Sequence, residues 1–457
     1  MGKIKKVHFV GIGGTGMCGI AEVLLNLGYK ISGSDLKENE AIKRLKSLGA
    51  DIKIGHKEEN VHDADLIVFS SAISEANCEI LEAKKRKITI IPRAEMLGEL
   101  MRMKYSIAIA GAHGKTSTTS MIALILENAG LDPTIIIGGR LKTLGSSAKL
   151  GKGEFMIAEA DESDRSFLKL FPSISVITNI DAEHLDQYKD IEDIEKTFIE
   201  FANRIPFFGS VIVCLDDFHT QNIIPELERK VITYGMSSQS DVFATKISFN
   251  KFNSDYVVCF GGKEVEEINL QVPGYHSIYN SLAAICVAME LEISLSVIKD
   301  SLRNFPGADR RFQLKGMIDD ITVIDDYAHH PTEIRVTLDA LKKGWGNRVI
   351  AVFQPHRYTR LQKLMDDFPR SFYQADEVII TSIYPAGENS IEGVSSQVLY
   401  EKFQKYGVKN VHLIEDMEEI PNMLKLIAKP GDIVITLGAG NINIVAEKFM
   451  EFLEKGK

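Results

Sequence analysis

The chain of 457 residues contains no apolar run approaching the roughly 20 residues that a helix needs to cross a bilayer, so membrane insertion is not expected. Its start, Met1-Gly2-Lys3-Ile4-Lys5-Lys6, is basic, but the apolar stretch behind it breaks at once into Gly11-Ile12-Gly13-Gly14, which is unlike a secretory signal. Lys6 stands where a myristoylation signal requires Ser or Thr. Cysteine is sparse. Cys18, Cys78, Cys214, Cys259 and Cys286 are odd in number, far apart and free of Cys-x-x-Cys pairs, so neither a disulfide framework nor a zinc site is expected, and a reducing cytoplasm is the expected compartment. A surplus of positive charge is also missing: 53 Lys and Arg against 63 Asp and Glu leave a net charge of -10, which argues against bulk nucleic-acid binding. There is no low-complexity segment and no fixed-period repeat.

What remains is a globular composition, 45% hydrophobic and 25% charged. A soft prior of roughly 150 residues per domain divides this length into about three. With an acidic balance, anionic ligands must be met locally, by glycine turns and individually placed Arg and Lys. The most informative such device is Gly111-Ala112-His113-Gly114-Lys115-Thr116-Ser117. The apolar run Ser106 to Ala110 reads as a buried strand and Thr118 to Ala129 as a helix closed by Gly130, so the loop feeds a helix N-terminus, where unpaired N–H groups and the helix dipole favour phosphate. The spacing is shorter than in the usual phosphate loop, but the division of labour is the same. Lys115 reaches the terminal phosphates and the Thr116 hydroxyl holds a magnesium ion.

Upstream, the strand Lys6 to Val10 leads into Gly11-Ile12-Gly13-Gly14-Thr15-Gly16 and a helix from about Met17 to Leu27, with Asp35 roughly 20 positions on, the pattern of dinucleotide-binding turns. A glycine turn at a helix N-terminus accepts any pyrophosphate, including that of a UDP-sugar. Strands at Leu66 to Ser70 and Thr89 to Ile91 are followed by Ser71 and Arg93, at the ends where open parallel sheets place ligands. After the phosphate loop, the strands Glu154 to Ala160 and Ser173 to Ile180 run into two acidic clusters, Glu159 to Asp164 and Asp181 to Asp186, the second containing His184. Carboxylates of this kind suit magnesium. Val211 to Val272 reads as short strands, then Ser277 to Leu291 and Leu295 to Asn304 as amphipathic helices. Phe305-Pro306-Gly307-Ala308-Asp309-Arg310-Arg311 is a natural boundary. Beyond it, strands at Ile321 to Ile324, Val349 to Phe353, Glu377 to Thr381, Val411 to Ile414 and Ile433 to Leu437 alternate with helices as in a doubly wound sheet.

Taken together, Gly111 through Thr116, Glu159-Ala160-Asp161-Glu162-Ser163-Asp164, Asn179 through His184, and Asp325-Asp326-Tyr327-Ala328-His329-His330-Pro331 resemble the Mur ligases across nearly the whole chain. The resemblance implies an α/β fold in three domains: a Rossmann-like UDP-sugar domain over 1–104, a P-loop ATPase domain with a mostly parallel sheet over 105–306, and a doubly wound, Rossmann-like amino-acid domain over 307–457. It implies an ATP- and magnesium-dependent ligase of cell-wall precursor synthesis. The amino-terminal Gly11 to Met17 and the late Gln354-Pro355-His356-Arg357-Tyr358-Thr359-Arg360 narrow the reaction to joining L-alanine to the lactyl carboxylate of UDP-N-acetylmuramate through an acyl phosphate.

The site residues the resemblance implies fall into groups. Gly111, Ala112, His113, Gly114, Lys115, Thr116 and Ser117 serve ATP, with His276 and Asn280 near its adenine. Arg311 approaches the γ-phosphate and Asp326 the ribose or the metal shell. Thr116, Glu159 and His184 hold the metal. Gly14, Thr15, Gly16, Asp35, Ser71 and Arg93 serve the UDP-sugar. Tyr327, His356, Arg357 and Arg360 receive the amino acid, with His329 beside them as a catalytic candidate. Ala112, Glu183 and Ser277 depart from the commoner family residues Thr, Asp and Asn. Some relatives carry a carbamylated lysine where this chain has Ile199, with Lys196 out of register, so no modified lysine is expected. Two other activities compete: ligation of a recycled tripeptide to the same UDP-sugar, and nicotinamide-dependent oxidoreduction at Gly11 to Gly16, which leaves Lys115, Glu159 and His184 without a task.

Overall fold

The computed structural model describes residues 4–70, 72–141, 146–184 and 187–455, which fold into two compact units. The first comprises residues 1–245, 257–268 and 279–304; the second comprises 246–256, 269–278 and 305–457.

The first unit opens with a five-stranded sheet in the order Asp51–Ile54, Lys30–Asp35, Lys6–Val10, Leu66–Phe69, Thr89–Pro92, parallel throughout. Chain order reverses between Lys6–Val10 and Leu66–Phe69, and Val10 is in register with both Ser34 and Phe69. The glycine turn and the segment after Phe69 therefore leave the same edge at the switch point, where such sheets bind ligands.

The same logic repeats in the second sheet. Tyr105–Ala110 lies between Ile174–Ile177 and Phe155–Glu159, parallel to both, with Ala110 opposite Ile177 and Ile109 opposite Glu159. Ile174–Ile177 and Ser210–Cys214 are buried at every position, as strands covered on both faces must be. Two features of the stretch after Val211 differ from the expectation of short strands alone. Phe218–Ile223 is a helix, capped by the Asp217 carboxylate accepting from Thr220 N–H, and too brief to leave a periodic signal; Val242–Asn250 is a strand of nine residues.

In the second unit the sheet runs Gln313–Ile318, Ile321–Asp326, Ile433–Leu437, Val349–Phe353, Glu377–Ile380, Val411–Leu413. All pairs are parallel except the first. Apolar periodicity does not reveal this hairpin, whose outer strand mixes half-exposed and exposed positions. Its turn is made by Asp319 and Asp320 at φ +50° and +62°, which a two-residue hairpin turn requires. Ile324, Ala351 and Ile435 pack into one apolar layer and Val323, Val352 and Val434 into the other, so both faces are covered.

One buried polar cluster interrupts the amino-terminal core. The Glu79 side chain is fully buried; its Oε2 accepts from the Ser34 hydroxyl (2.5 Å) and lies 3.5 Å from His8 Nε2, while Oε1 accepts from Asn60 Nδ2 (2.5 Å) and Lys57 N–H (3.1 Å). Burial alone would raise this carboxyl, but the hydrogen bonds from His8, Ser34 and Asn60 outweigh it and hold it at about 2. A value depressed below the ordinary 4.5 means that the charged form stabilises the fold, by about 3 kcal/mol at neutral pH. This contribution is complete above the unfolded value and is lost as pH falls through the folded one. We expect the stability gap in urea between the wild type and Glu79→Gln to narrow steadily from pH 4.5 towards pH 2. A gap independent of pH across that window would contradict the account.

Candidate active site

The phosphate loop leaves Tyr105–Ala110 and ends at Gly114, whose left-handed backbone (φ +85°) caps the helix Lys115–Asn128. That cap explains why the helix begins at Lys115 rather than Thr118. Gly111 is also left-handed (φ +124°), and a Cβ there would overlap the Thr178 hydroxyl and sit 2.9 Å from the Asn179 carbonyl. The loop is strapped onto the end of the neighbouring strand. Asn179 accepts from Ala112 N–H at its carbonyl (3.1 Å) and from His113 N–H at Oδ1 (2.9 Å). Its own amide and the Thr178 hydroxyl donate to the His113 carbonyl, at 3.0 and 2.6 Å. The His113 ring lies 3.0 Å from Asp181. On the helix, Thr118 donates to Asn280 Oδ1 (3.3 Å), which places Asn280 beside Gly114.

Lys115 folds back over the loop. Its Nζ donates to the carbonyls of Gly111 and Ala112 and, at 2.9 Å each, to both oxygens of buried Glu162. Burial pushes the Glu162 carboxyl up to about 7 against the attraction of Lys115. Burial would lower the Lys115 ammonium, but Glu162 and Asp161 hold it above its usual value, so it stays charged. The same lysine holds Asp161 below the ordinary carboxylate range although burial opposes this. Asp161 in turn lies 3.6 Å from Arg93, the first residue of the helix Arg93–Met101.

His184, at φ +56°, places Nε2 3.8 Å from Glu162 and 3.6 Å from Glu183. The donor atoms of Glu162, Glu183 and His184 all lie within 4.8 Å of one another. Of the expected metal set, His184 belongs to this group, Thr116 occupies the first turn of the helix, and Glu159 ends its strand, half-buried, opposite Ile109.

At the amino-terminal turn the structure brings Arg93 against Gly16: a Cβ on that glycine would lie 2.6 Å from Arg93 Nη1. Asp35 accepts from Gly13 N–H at 2.8 Å, so its carboxylate shapes the turn. Gly14 is the N-cap of the helix Thr15–Asn26. Ser71 and the side chain of Thr15 lie outside the described residues.

The second unit gathers its candidates at the carboxyl ends of its central strands. Tyr327 is flanked by two guanidinium groups, Arg310 at 5.2 Å and Arg311 at 5.3 Å from the ring centroid. Arg311 pairs with Glu333 (3.1 Å), while Arg310 is tied to Asp325 (2.9 Å) and the Gly438 and Gly440 carbonyls. Both oxygens of buried Asp326 accept backbone N–H groups, from Ala328 (2.7 Å) and Phe312 (2.9 Å), and burial raises its carboxyl to about 6 despite Arg311. His329 Nδ1 lies 2.9 Å from the Tyr327 carbonyl and 3.3 Å from Glu333, so Nδ1 carries a proton and donates to the carbonyl. His356 meets His329 edge-on at 5.6 Å and stacks on Tyr384 at 5.6 Å. Burial, then the charges of His329, Arg360 and Arg357, push the His356 ring down to about 3, and its Nδ1 accepts from Arg360 at 3.2 Å. Arg357 is exposed and left-handed (φ +68°), held there by its N–H on the Tyr384 carbonyl at 2.9 Å. His276 lies in this unit, half-buried, with its ring pushed down to about 4 chiefly by burial.

Sequence reasoning did not single out Glu162, Asn179, Arg310, Glu333 or Tyr384. Glu162 and Asn179 lie inside the motif stretches, where a signal exists, and Arg310 lies in the boundary segment Phe305 to Arg311. Tyr384 reaches His356 only because the sheet sets their strand ends side by side, which spacing does not reveal.

These features, a phosphate loop and a glycine turn held in one unit and a second doubly wound unit, define a nucleotide-binding α/β protein. Three family profiles cover it in succession: "Mur ligase family, catalytic domain" over residues 6–105, "Mur ligase middle domain" over 109–288 and "Mur ligase, glutamate ligase domain" over 310–440. The chain belongs to the Mur ligase family. It is 54% identical over 453 residues to a UDP-N-acetylmuramate–L-alanine ligase from Geotalea uraniireducens, covering 99% of each chain. Among solved structures it is similar to the UDP-N-acetylmuramate-alanine ligase of Thermotoga maritima, with a TM-score of 0.83 and 28% identity over 99% of this chain and 100% of that one. A murein peptide ligase from Psychrobacter arcticus shares the fold, with a TM-score of 0.70 at 24% identity over 98% of both chains. No helix among the described residues is long and apolar enough to cross a membrane.

Proposed function

We propose that this chain joins L-alanine to the lactyl carboxylate of UDP-N-acetylmuramate in an ATP-dependent, amide-bond-forming reaction of peptidoglycan precursor synthesis. The observation that carries it is a pair of adjacent carboxylates. Asp161 lies 3.6 Å from Arg93, which packs against Gly16 of the glycine turn, and Glu162 lies 2.9 Å from the Lys115 of the phosphate loop. Two anion-binding devices are thereby coupled through one dipeptide, as transfer between a UDP-sugar and a triphosphate demands. A carboxylate oxygen attacks the γ-phosphorus and the β–γ bridging bond breaks, giving an acyl phosphate and ADP. The neutral amine of alanine then attacks the acyl carbon, phosphate leaves with the carboxylate-derived oxygen, and the amine gives up its proton.

Activation is needed because a carboxylate oxygen is a poor leaving group and phosphate is a good one. Lys115 neutralises charge on the phosphates, and Arg93 holds the diphosphate of the sugar beside Gly14 and Gly16. Glu162, Glu183 and His184, with Thr116 and Glu159, offer mainly hard oxygen donors that suit magnesium, which would screen the phosphate charges. A cytoplasmic location belongs to the same proposal, as do domain limits at 1–104, 105–306 and 307–457. Arg311 and Asp326, with His276 and Asn280, keep the ATP roles that the family resemblance implies. His356, neutral at physiological pH, and His329, with Tyr327, Arg357 and Arg360, form the receiving site for the amino acid, whose carboxylate an arginine fork fits.

The acyl phosphate makes a direct test. With heavy oxygen in the lactyl carboxylate, released phosphate should carry one labelled oxygen per turnover; unlabelled phosphate would exclude that intermediate. Arg357→Ala should raise the KM for L-alanine by about 10-fold or more while leaving the KM for ATP little changed, the loss expected of one charge-assisted contact. An unchanged alanine KM would remove Arg357 from the receiving site.

A further inference from the structure

Glu79 lies outside the residues assigned above, yet its contacts lead to the glycine turn in two steps. Its Oε2 accepts from the Ser34 hydroxyl at 2.5 Å. The Ser34 carbonyl accepts from Gly11 N–H (2.9 Å) and Ile12 N–H (3.1 Å), and the next residue, Asp35, accepts from Gly13 N–H (2.8 Å). Three successive amides of the turn are therefore held by residues 34 and 35. The same carboxylate reaches the neighbouring loop, where it accepts from Lys57 N–H and Asn60 Nδ2 and lies 3.5 Å from His56 Nδ1. Ser34 Oγ is also 2.9 Å from His56. Glu79 itself sits in the first turn of the helix Cys78–Lys85, its N–H donated to Asn77 Oδ1, so it enters from the far side of the switch-point crevice.

We propose that Glu79 is a positioning residue for UDP-sugar binding, locking Ser34, and through it the glycine turn, against the segments that follow the strands Asp51–Ile54 and Leu66–Phe69. This inference rests on the reading that the turn holds the diphosphate of the UDP-sugar. The chemistry requires a carboxylate. Both oxygens accept, Oε1 from Asn60 and Lys57 and Oε2 from Ser34, and an amide at this position would aim N–H groups at one of those donor sets. Aspartate would be too short by one methylene to meet both sets at once. Because Glu79 contacts His8, Ser34, His56, Lys57 and Asn60 and none of the residues assigned to ATP or the amine, its loss should act on sugar affinity selectively. A residue needed only for folding would weaken every ligand together or none.

The test is calorimetric titration of UDP-N-acetylmuramate, in the absence of ATP, into full-length wild type, Glu79→Gln and Ser34→Ala, with ADP titrated in parallel. Steady-state kinetics accompany it. Sugar affinity should fall by about 10-fold in both variants, with the ADP affinity unchanged and the loss appearing in the sugar KM far more than in kcat. Folded variants that bind the sugar as the wild type does would overturn the inference, and so would equal loss of sugar and ADP binding. If Glu79→Gln does not fold, Ser34→Ala decides alone, since it removes the hydroxyl and leaves the carboxylate with its other donors. A wild type that itself fails to bind the UDP-sugar would instead overturn the reading of the turn.

Discussion

Lys115→Ala should lower the rate of ADP release by about 100-fold to 1,000-fold while leaving UDP-N-acetylmuramate affinity within a factor of about 2. The ammonium is the cation aimed at the phosphate loop, and no other Lys or Arg side chain hydrogen-bonds the Gly111 or Ala112 carbonyl among the described residues. Its removal also strips buried Glu162 of its 2.9 Å partner, and an uncompensated buried carboxylate costs stability on the order of 3 kcal/mol unless it takes up a proton. A double variant, Lys115→Met with Glu162→Gln, separates the two effects: it should recover stability relative to Lys115→Ala and stay inactive. Equal losses in sugar affinity and turnover for the single variant would contradict the assignment of the two ligands to separate devices.

A second large effect is expected at Gly111. Gly111→Ala places a methyl group against the Thr178 hydroxyl, 2.9 Å from the Asn179 carbonyl and 3.0 Å from Thr178 N, on a backbone at φ +124°. Two of these neighbours are main-chain atoms immediately after the fully buried strand Ile174–Ile177, which anchors them, so the loop itself must shift. Turnover should fall by about 100-fold or more, a loss on the scale of a displaced catalytic cation. Gly130→Ala is the matched control. Its φ is +76°, also left-handed, but nothing lies within 4 Å of the added carbon, so it carries only a conformational cost of about 1 kcal/mol and should keep near-normal activity. Similar activities for the two variants would mean that the fit of the loop against Asn179 is unimportant.

Much of this architecture is legible before any coordinates. Strands such as Val349–Phe353 and Ile433–Leu437 are continuous apolar runs, because a parallel sheet covered on both faces allows nothing else, and their limits follow directly from the sequence. Lys115 and Arg93 are legible for a related reason: turn chemistry fixes the backbone, and the backbone fixes where a nearby cation points. The partners of these cations are less so. Glu162 stands three residues beyond Glu159 in one acidic run, and only the folded chain assigns the Lys115 contact to Glu162. Asp35 matches the spacing of a ribose-binding acid but spends its carboxylate on Gly13 N–H. Glu79 gave no signal at all, because a charged residue in an ordinary amphipathic helix looks like a solvated face until the helix turns it inward beneath the switch point.

The central claim is that the two anion devices act on one reaction whose acceptor is alanine. It is tested most directly by measuring ADP release from ATP with magnesium and UDP-N-acetylmuramate, comparing L-alanine, the stem tripeptide and no amine. Release that depends on L-alanine and is matched by formation of the UDP-sugar amide is the predicted result. Release with the tripeptide but not with L-alanine would move the chain to the recycling reaction, and no release with either amine would contradict the proposed activity outright.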